Sequence, residues 1–554
     1  MNKLKFTLKS LVLGCMVASS LAANAQTVIT PSLQWANGIT GTGYIDNGNS
    51  SQILAQDLNR NVITAGTFSG SVDFDPGVNA NTITSAEVAA FVTKYDSAGS
   101  LLWALKFGTD SYSVLGFPMF SVSNLTVDRT KGDIYISGTY GDSTIDFDPD
   151  LGVARLTPRY DDNWGAYAPT MYILKLNSNG DFQWVKSLDI YNGGGITCSA
   201  VGNTPGNSEI GGNVYFSGML MGGNLPSYDF DPGPGVANLD IPSNIMIGYL
   251  LCLNASGEFI YVKKIAGGDD LFISVSNMVM NNVDDIYISG FFNGTADVDP
   301  SPAIQHIVGP TSGLGGNELF LLKYTKAGNL QWARQSEVGC TVFAGGGQKS
   351  DVNHVGVAID TNNGVYLTAG LNGPVNFNKL LPYGGAATLL DAAYYPYSIE
   401  SPATALIKYN ASGGFEWVKQ IGGFDTANRA QAPAIAVSDG GKVYLSGKYN
   451  NTIDLDPGVG MNNVGGKGNY IAQYNSNGAF VWAGKIADGS NASSLNFDLV
   501  TEAEETIYTN GLWWGASMDF DPSAGSFMLT SVNSDNSNVY ISKLKIPEVD
   551  TTSS

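Results

Sequence analysis

The sequence predicts an all-β chain, a seven-bladed β-propeller with four antiparallel strands per blade. Three observations carry this. An acidic phrase recurs along the 554 residues: Asp73-Phe74-Asp75-Pro76-Gly77, Asp146-Phe147-Asp148-Pro149, Asp229-Phe230-Asp231-Pro232-Gly233, Asp297-Val298-Asp299-Pro300, Asp454-Leu455-Asp456-Pro457-Gly458 and Asp519-Phe520-Asp521-Pro522. A substituted copy, Asn376-Phe377-Asn378, makes seven, and the steps between first residues are 73, 83, 68, 79, 78 and 65. Each copy sits in the same frame of short apolar runs and tight turns. Finally, Leu33-Gln34-Trp35-Ala36 repeats Leu330-Gln331-Trp332-Ala333 letter for letter, although it stands ahead of the first complete repeat. A period of this length means one supersecondary unit used repeatedly.

The elements follow in order. Strand a is an apolar stretch closed by a polar turn, such as Asn124 to Asp128 before Lys131-Gly132-Asp133. Strand b is a run ending in glycine: Val62 to Gly66, Ile134 to Gly138, Val214 to Gly218, Ile286 to Gly290, and runs ending at Gly370, Gly447 and Gly511. β-Branched and aromatic residues bounded by glycine read as strands. The acidic phrase lies in the b–c connection. Strand c follows, for example Phe91 to Tyr95 and Tyr172 to Leu176, and ends in turns such as Asn177-Ser178-Asn179-Gly180. Asn, Ser and Gly suit these turns because they accept positive φ or bond their own backbone. Strand d carries an aromatic at a fixed place: Trp103, Trp184, Tyr261, Trp332, Trp417 and Trp482. Radial stacking of such sheets buries face against face.

The seventh repeat stops near Ile546 after strand c. The Leu33 to Ala36 segment supplies its missing strand d and closes the ring, which removes a frayed edge. The expected blades run about 45–110, 115–190, 195–267, 272–338, 352–423, 431–488, and 494–547 completed by 31–40, within a propeller of 26–548 and a tail of 549–554.

The Gly-ended strand b, the Asp-x-Asp-Pro phrase, the Lys-Tyr-(Asp/Asn)-x-x-Gly turn and the Trp after it resemble the bacterial β-propeller repeat, or SBBP repeat, family of secreted Bacteroidetes-type proteins. The resemblance covers about residues 30 to 547. It implies the propeller fold and no particular activity. Many members carry a C-terminal sorting domain; none is evident before Ser554.

Residues 1–25 read as a signal peptide: Lys3, Lys5 and Lys9, then an apolar stretch from Leu11 to Leu21, then Ala23-Asn24-Ala25 as a small-x-small cleavage site. A lipoprotein signal ending before Cys15 is the less favoured alternative, because Leu13 and the continued apolar sequence fit it poorly. The expected location is secreted or periplasmic, with no transmembrane segment. Of the later cysteines, Cys198 and Cys252 fall on strands a and c of one blade, with strand b between them. That separation is beyond disulfide reach, so they read as buried thiols. The formal charge is −21, and loss of the leader's three lysines takes it to about −24. Such a surface repels nucleic acid and anionic membrane.

Two readings of the acidic phrase remain open. Asp73, Asp75, Asp146, Asp148, Asp229, Asp231, Asp297, Asp299, Asp454, Asp456, Asp519 and Asp521 form up to six acidic pairs on one face. They could ligate Ca²⁺, although such an ion takes six or more oxygens and each pair supplies too few alone. The simpler reading is a turn, with the aspartates accepting backbone amides and Pro-Gly setting the bend. Asn376-Phe377-Asn378-Lys379 favours the turn, since amides replace carboxylates as acceptors while Lys379 disfavours a cation. The two histidines, His306 and His354, are too few for a histidine-based zinc site and read as surface or packing groups. The recurrent strand-c lysines (Lys94, Lys175, Lys323, Lys408 and Lys543) read as packing stems with solvated tips. The strand-d aromatics read as inter-blade packing, and Trp513-Trp514 as rim packing.

No nucleophile elbow, phosphate loop or distinct carboxylate pair stands out, so no catalytic residue and no cofactor other than Ca²⁺ is nominated. The expected function is an exported, monomeric, non-catalytic module that binds or scaffolds a protein or glycan through its b–c loops, such as Leu156 to Thr170 and Leu380 to Thr404. The alternatives are a calcium-stabilised structural or adhesive module and a secreted hydrolase or lyase acting on polysaccharide or peptide.

Overall fold

Seven apolar frames become seven antiparallel sheets. The computed structural model describes residues 31–546 apart from 47–52, 109–119, 203–211, 310–316, 339–350, 377–388, 391–402, 423–433, 489–497, 503–505 and shorter loop segments. Blade one comprises Leu54–Gln56, Val62–Asp73, Thr82–Tyr95 and Leu101–Phe107. Blade two comprises Phe120–Val127, Ile134–Tyr140, Thr170–Leu176 and Phe182–Leu188, and blade three Gly195–Val201, Val214–Met221, Met246–Leu253 and Phe259–Ala266. Blade four uses Phe272–Met280, Ile286–Asn293, Glu318–Tyr324 and Leu330–Gln335, and blade five Asp351–Ile359, Val365–Asn372, Ala403–Tyr409 and Phe415–Ile421. Blade six uses Ala434–Val437, Val443–Tyr449, Gly468–Tyr474 and Phe480–Asp488. Blade seven takes Asp498–Glu502, Thr506–Trp513 and Asn538–Lys545 from the end of the chain, and Ser32–Gly41 from its start.

The closing strand pairs antiparallel with Asn538–Lys545, setting Trp35 opposite Lys543 and Ile39 opposite Val539. It carries the same irregularity as the other outer strands. The register slips between Leu33 and Trp35, as it slips in blade one between the Tyr95–Leu101 and Lys94–Trp103 pairs. A bulge re-aims the side chain that follows it, here the tryptophan.

Position in the sheet explains the residue pattern. Strand c lies between neighbouring blades, so Thr170–Leu176 and Gly468–Tyr474 are buried at every position. The outer strand Phe182–Leu188 is half-buried along most of its length. The core is continuous across blade boundaries. Ile63 and Val92 of blade one pack in one cluster with Leu125, Ile136 and Leu174 of blade two.

Two further contacts lock each blade to the next. The outer-strand aromatic lies flat on the c–d turn glycine of the following blade. A Cβ on Gly99 (φ +87°) would lie 2.8 Å from the Trp35 ring, and one on Gly478 (φ +73°) 2.8 Å from Trp417. Trp103, Trp184, Tyr261 and Trp332 sit in the same way on Gly180, Gly257, Gly328 and Gly413. Among the described residues Trp482 meets no such glycine, because blade seven takes its outer strand from the other end of the chain; its indole N–H donates to Gln473 instead.

The strand-c lysines make the other contact, and here the expectation of solvated tips is overturned. Lys94 and Lys175 donate to the Ser178 and Ala255 carbonyls of the next blade's turn, while pairing at 2.8 and 2.7 Å with Asp57 and Asp133 of their own a–b turns. Lys323 pairs with Asp285 at 2.8 Å, and Lys408 and Lys543 reach the Ser476 and Ser97 carbonyls. Desolvated as they are, the Lys94 and Lys175 ammonium groups need such partners.

Candidate functional site

The acidic phrase is the bend of a small hairpin inserted between strands b and c. Asp73 Oδ1 accepts the amides of Asp75 at 3.1 Å and Asn81 at 2.9 Å, and Asp75 Oδ1 accepts that of Gly77 at 2.8 Å. The pattern recurs at Asp146 and Asp148, Asp229 and Asp231, Asp297 and Asp299, Asp454 and Asp456, and Asp519 and Asp521. In each copy the first aspartate bridges the two strands of the hairpin, and the second closes the bend. The middle residue is the anchor. Phe74, Phe147, Phe230, Val298 and Leu455 are fully buried. The Tyr95, Tyr324 and Tyr474 hydroxyls donate to the Phe74, Val298 and Leu455 carbonyls at 2.8, 2.8 and 2.7 Å.

Four copies place glycine four residues after the second aspartate, where Asn79 and Ala303 stand in blades one and four. A Cβ on Gly152, Gly235, Gly460 or Gly525 would meet an aspartate Oδ2 at 2.0, 2.1, 2.3 or 2.4 Å. This spacing was readable in the sequence.

The hairpin also clasps the preceding blade. Gly108 at the end of blade one donates to the Asp146 carbonyl at 3.3 Å, and Gly422 at the end of blade five donates to that of Asp454 at 3.0 Å. Gly267 and Asp297 exchange amide–carbonyl bonds of 3.3 and 2.9 Å. Thr40 pairs with Asp73 across the ring closure, Asp488 with Asp519, and Glu337 with Asn376 of the substituted copy. Apart from the backbone of Val375–Asn376, that copy lies outside the described residues, as do residues 1–30, Cys340 and the side chain of His354.

Among the described residues, no three His, Cys, Asp or Glu side chains gather as a metal cluster. His306 is exposed in the blade-four hairpin. Cys198 and Cys252 are buried free thiols, both pushed up to about 12 by desolvation. Trp513 is fully buried, with Trp514 packed against the core. No described helix is long and apolar enough to cross a membrane.

Two surfaces escaped the sequence reading. At the hairpin tips, the seventh residue after the first aspartate is apolar and exposed in four blades: Val153 at 68%, Val236 at 74%, Ile304 at 71% and Met461 at 81%. At the opposite end of the ring, the a–b turns surround the mouth of an axial cavity of about 560 Å³, which Arg129, Asn282, Thr361 and Asp439 help line. Arg129 is exposed and lines this cavity. Desolvation lowers its pKa, and the charge of Asp439 opposes that shift.

With this geometry in view, the likeness to known proteins is limited to the fold. No family model matches the sequence. It is 22% identical over 552 residues to an uncharacterized WD repeat-containing protein of Acanthamoeba polyphaga mimivirus; the match covers 90% of this chain and 37% of that protein's length. Among solved structures, the polysaccharide lyase Uly1 aligns with a TM-score of 0.44 at 10% identity, over 93% of this chain and 100% of the lyase. An apocarotenoid oxygenase of Synechocystis aligns with a TM-score of 0.38 at 10% identity, over 91% of this chain and 94% of the oxygenase. The chain is a β-propeller repeat protein distantly related to a WD-repeat protein. These neighbours do not share one chemistry, so none is transferred.

Proposed function

We propose that this propeller is an exported, non-catalytic binding module of the SBBP-repeat type, which engages a protein partner through its phrase hairpins. One observation carries the reading: the exposed apolar residue at the tip of four hairpins, Val153, Val236, Ile304 and Met461. The bend does not require it, because Ala80 and Ser526 occupy the same place in blades one and seven. Aliphatic tips on a rigid scaffold suit a protein surface, whereas a glycan would call for aromatic platforms. The phrase aspartates support a turn role, since both members of each copy are engaged by backbone amides. The resemblance to secreted repeats and the leader-like residues 1–25 support export.

The test is a proximity cross-linking experiment on the mature protein, with Val153, Val236, Ile304 and Met461 replaced together by serine as the control. A defined cross-linked partner that is lost in the quadruple variant, at unchanged melting temperature, is the expected result. Turnover of a polysaccharide or peptide by the mature protein would overturn the non-catalytic reading.

A further inference from the structure

The axial cavity lies at the opposite end of the ring from the hairpin tips, and its chemistry is separate. The a–b turns around it are built alike. Asp128 Oδ1 accepts the Thr130 amide at 2.8 Å, Asn281 Oδ1 those of Val283 and Asp285 at 3.1 and 2.8 Å, and Asp360 Oδ1 those of Asn362 and Gly364 at 2.9 and 2.8 Å. Ser438 Oγ accepts the Lys442 amide at 3.2 Å. Such caps fix each turn from within. The residue directly after each of these four caps lines the cavity: Arg129, Asn282, Thr361 and Asp439. Blade one is capped in the same way by Asp57, but Leu58 after it is not part of the lining.

The caps share one task, accepting backbone amides through a side-chain oxygen, while the residues after them are a cation, an amide, a hydroxyl and a carboxylate. Nothing in the turn requires that difference. A position that repeats in geometry but not in chemistry is free of the fold's demands, as recognition positions on rigid scaffolds are.

The two charges are close enough to influence one another but make no ion pair among the described residues. Asp360, which also lines the cavity, is already engaged by its turn amides and by the Tyr366 hydroxyl at 3.2 Å. Deeper in, Gln56 on the inner strand of blade one is 6% exposed, and its Nε2 has no acceptor among the described residues. Buried donors ordinarily find one. Val127, Met280, Ile359 and Val437 supply an aliphatic wall between these polar groups. A cavity of about 560 Å³ is within the usual range for a small ligand.

The ligand's charge can be argued as well. The chain carries a formal −21, so it repels small anions at long range; a simple amine would leave Arg129 unmatched. A neutral molecule bearing both charges satisfies both sides. We propose that the axial cavity binds a small zwitterion, a free amino acid or the end of a short peptide, with its carboxylate on Arg129, its ammonium on Asp439 and an aliphatic side chain against the wall. Arginine holds a carboxylate through two parallel N–H donors, so the contact is directional as well as charged.

Calorimetric titration of the mature protein with leucine, leucyl-leucine, N-acetyl-leucine and leucinamide tests this. Leucine or leucyl-leucine is expected to bind, and their ratio distinguishes a free amino acid from a peptide end. Removing either charge is expected to weaken binding about tenfold or more. Arg129→Met should abolish binding at an unchanged melting temperature, because Arg129 makes no pair among the described residues; Asp439→Asn should act alike. Equal binding of N-acetyl-leucine, undiminished binding by Arg129→Met, or no heat with any of the four at about 10 mM would overturn the proposal.

Discussion

Lys94 Nζ lies 2.8 Å from Asp57 Oδ2 and 2.8 Å from the Ser178 carbonyl of the next blade, so one ammonium group ties an a–b turn to a neighbour's c–d turn. The side chains are only 5% and 3% exposed. Burial raises the Asp57 pKa, but hydrogen bonds from Lys94 and Asn61, with the charge of Lys94, outweigh it and hold the carboxyl below its ordinary value. A depressed carboxyl stabilises the fold above its unfolded pKa of about 3.9, and that contribution is lost as pH falls through the folded value.

Lys94→Met should therefore destabilise the protein by about 3 kcal/mol, since it leaves Asp57 buried without its cation. Urea unfolding at pH 7 measures the loss. Asp57→Asn should flatten the fall in melting temperature below about pH 4 relative to wild type. If the two acid limbs superimpose, Asp57 is not linked to folding in this way.

The Trp417–Gly478 contact predicts a backbone-sensitive joint. A Cβ on Gly478 meets the ring at 2.8 Å, and the φ of +73° already disfavours any other residue. Gly478→Ala should cost about 1–3 kcal/mol, from overpacking and left-handed strain together. Trp417→Ala in the same background removes the ring clash but leaves the strain and the Lys419 Cγ contact at 2.9 Å. The double variant should therefore be less destabilised than the sum of the single ones, which a double-mutant cycle by thermal melting would show.

The ring was legible because its signals are local and repeated. Gly66, Gly138 and their counterparts end strand b, and Trp35 matches Trp332 within a shared tetrapeptide, so counting was enough to find the split blade. What the phrase holds was less legible. The pairing of Gly108 with Asp146, or of Asp488 with Asp519, joins residues from different repeats, and no spacing within one repeat encodes it. The strand-c lysines misled for the same reason: Lys175 finds its carbonyl on Ala255, a whole blade away. Arg129 carries no motif; it stands out only when the a–b turns are superposed in space and the residue after each cap is compared.

Ring closure makes a topological prediction. The Ser32–Gly41 strand pairs with Asn538–Lys545 on one side and with the blade-one hairpin on the other, through Thr40 and Asp73. Ile39, 1% exposed, anchors it. Removing residues 26–41 should expose the edge of blade seven and detach blade one from it. Unpaired edges template association. Size-exclusion chromatography should show a shift to species larger than the wild-type protein, and Ile39→Asp should produce a milder version of the same shift. A deletion variant that elutes and melts like wild type would mean that the strand is dispensable.

The phrase itself separates the turn from the cation by substitution. Asp454 Oδ1 accepts the amides of Asp456 and Asn462 at 3.1 and 2.8 Å, and an asparagine carbonyl can take both places. On the turn reading, Asp454→Asn should leave the melting temperature nearly unchanged, while Asp454→Ala loses both acceptor contacts and costs about 1–3 kcal/mol. Neither should respond to calcium. On the calcium reading, the wild-type midpoint should rise with millimolar Ca²⁺ and fall with chelator, as mass action requires for an ion held only by the folded state. Asp454→Asn should then diminish that rise. The sign of the asparagine result decides, because asparagine preserves the hydrogen bonds and removes the charge.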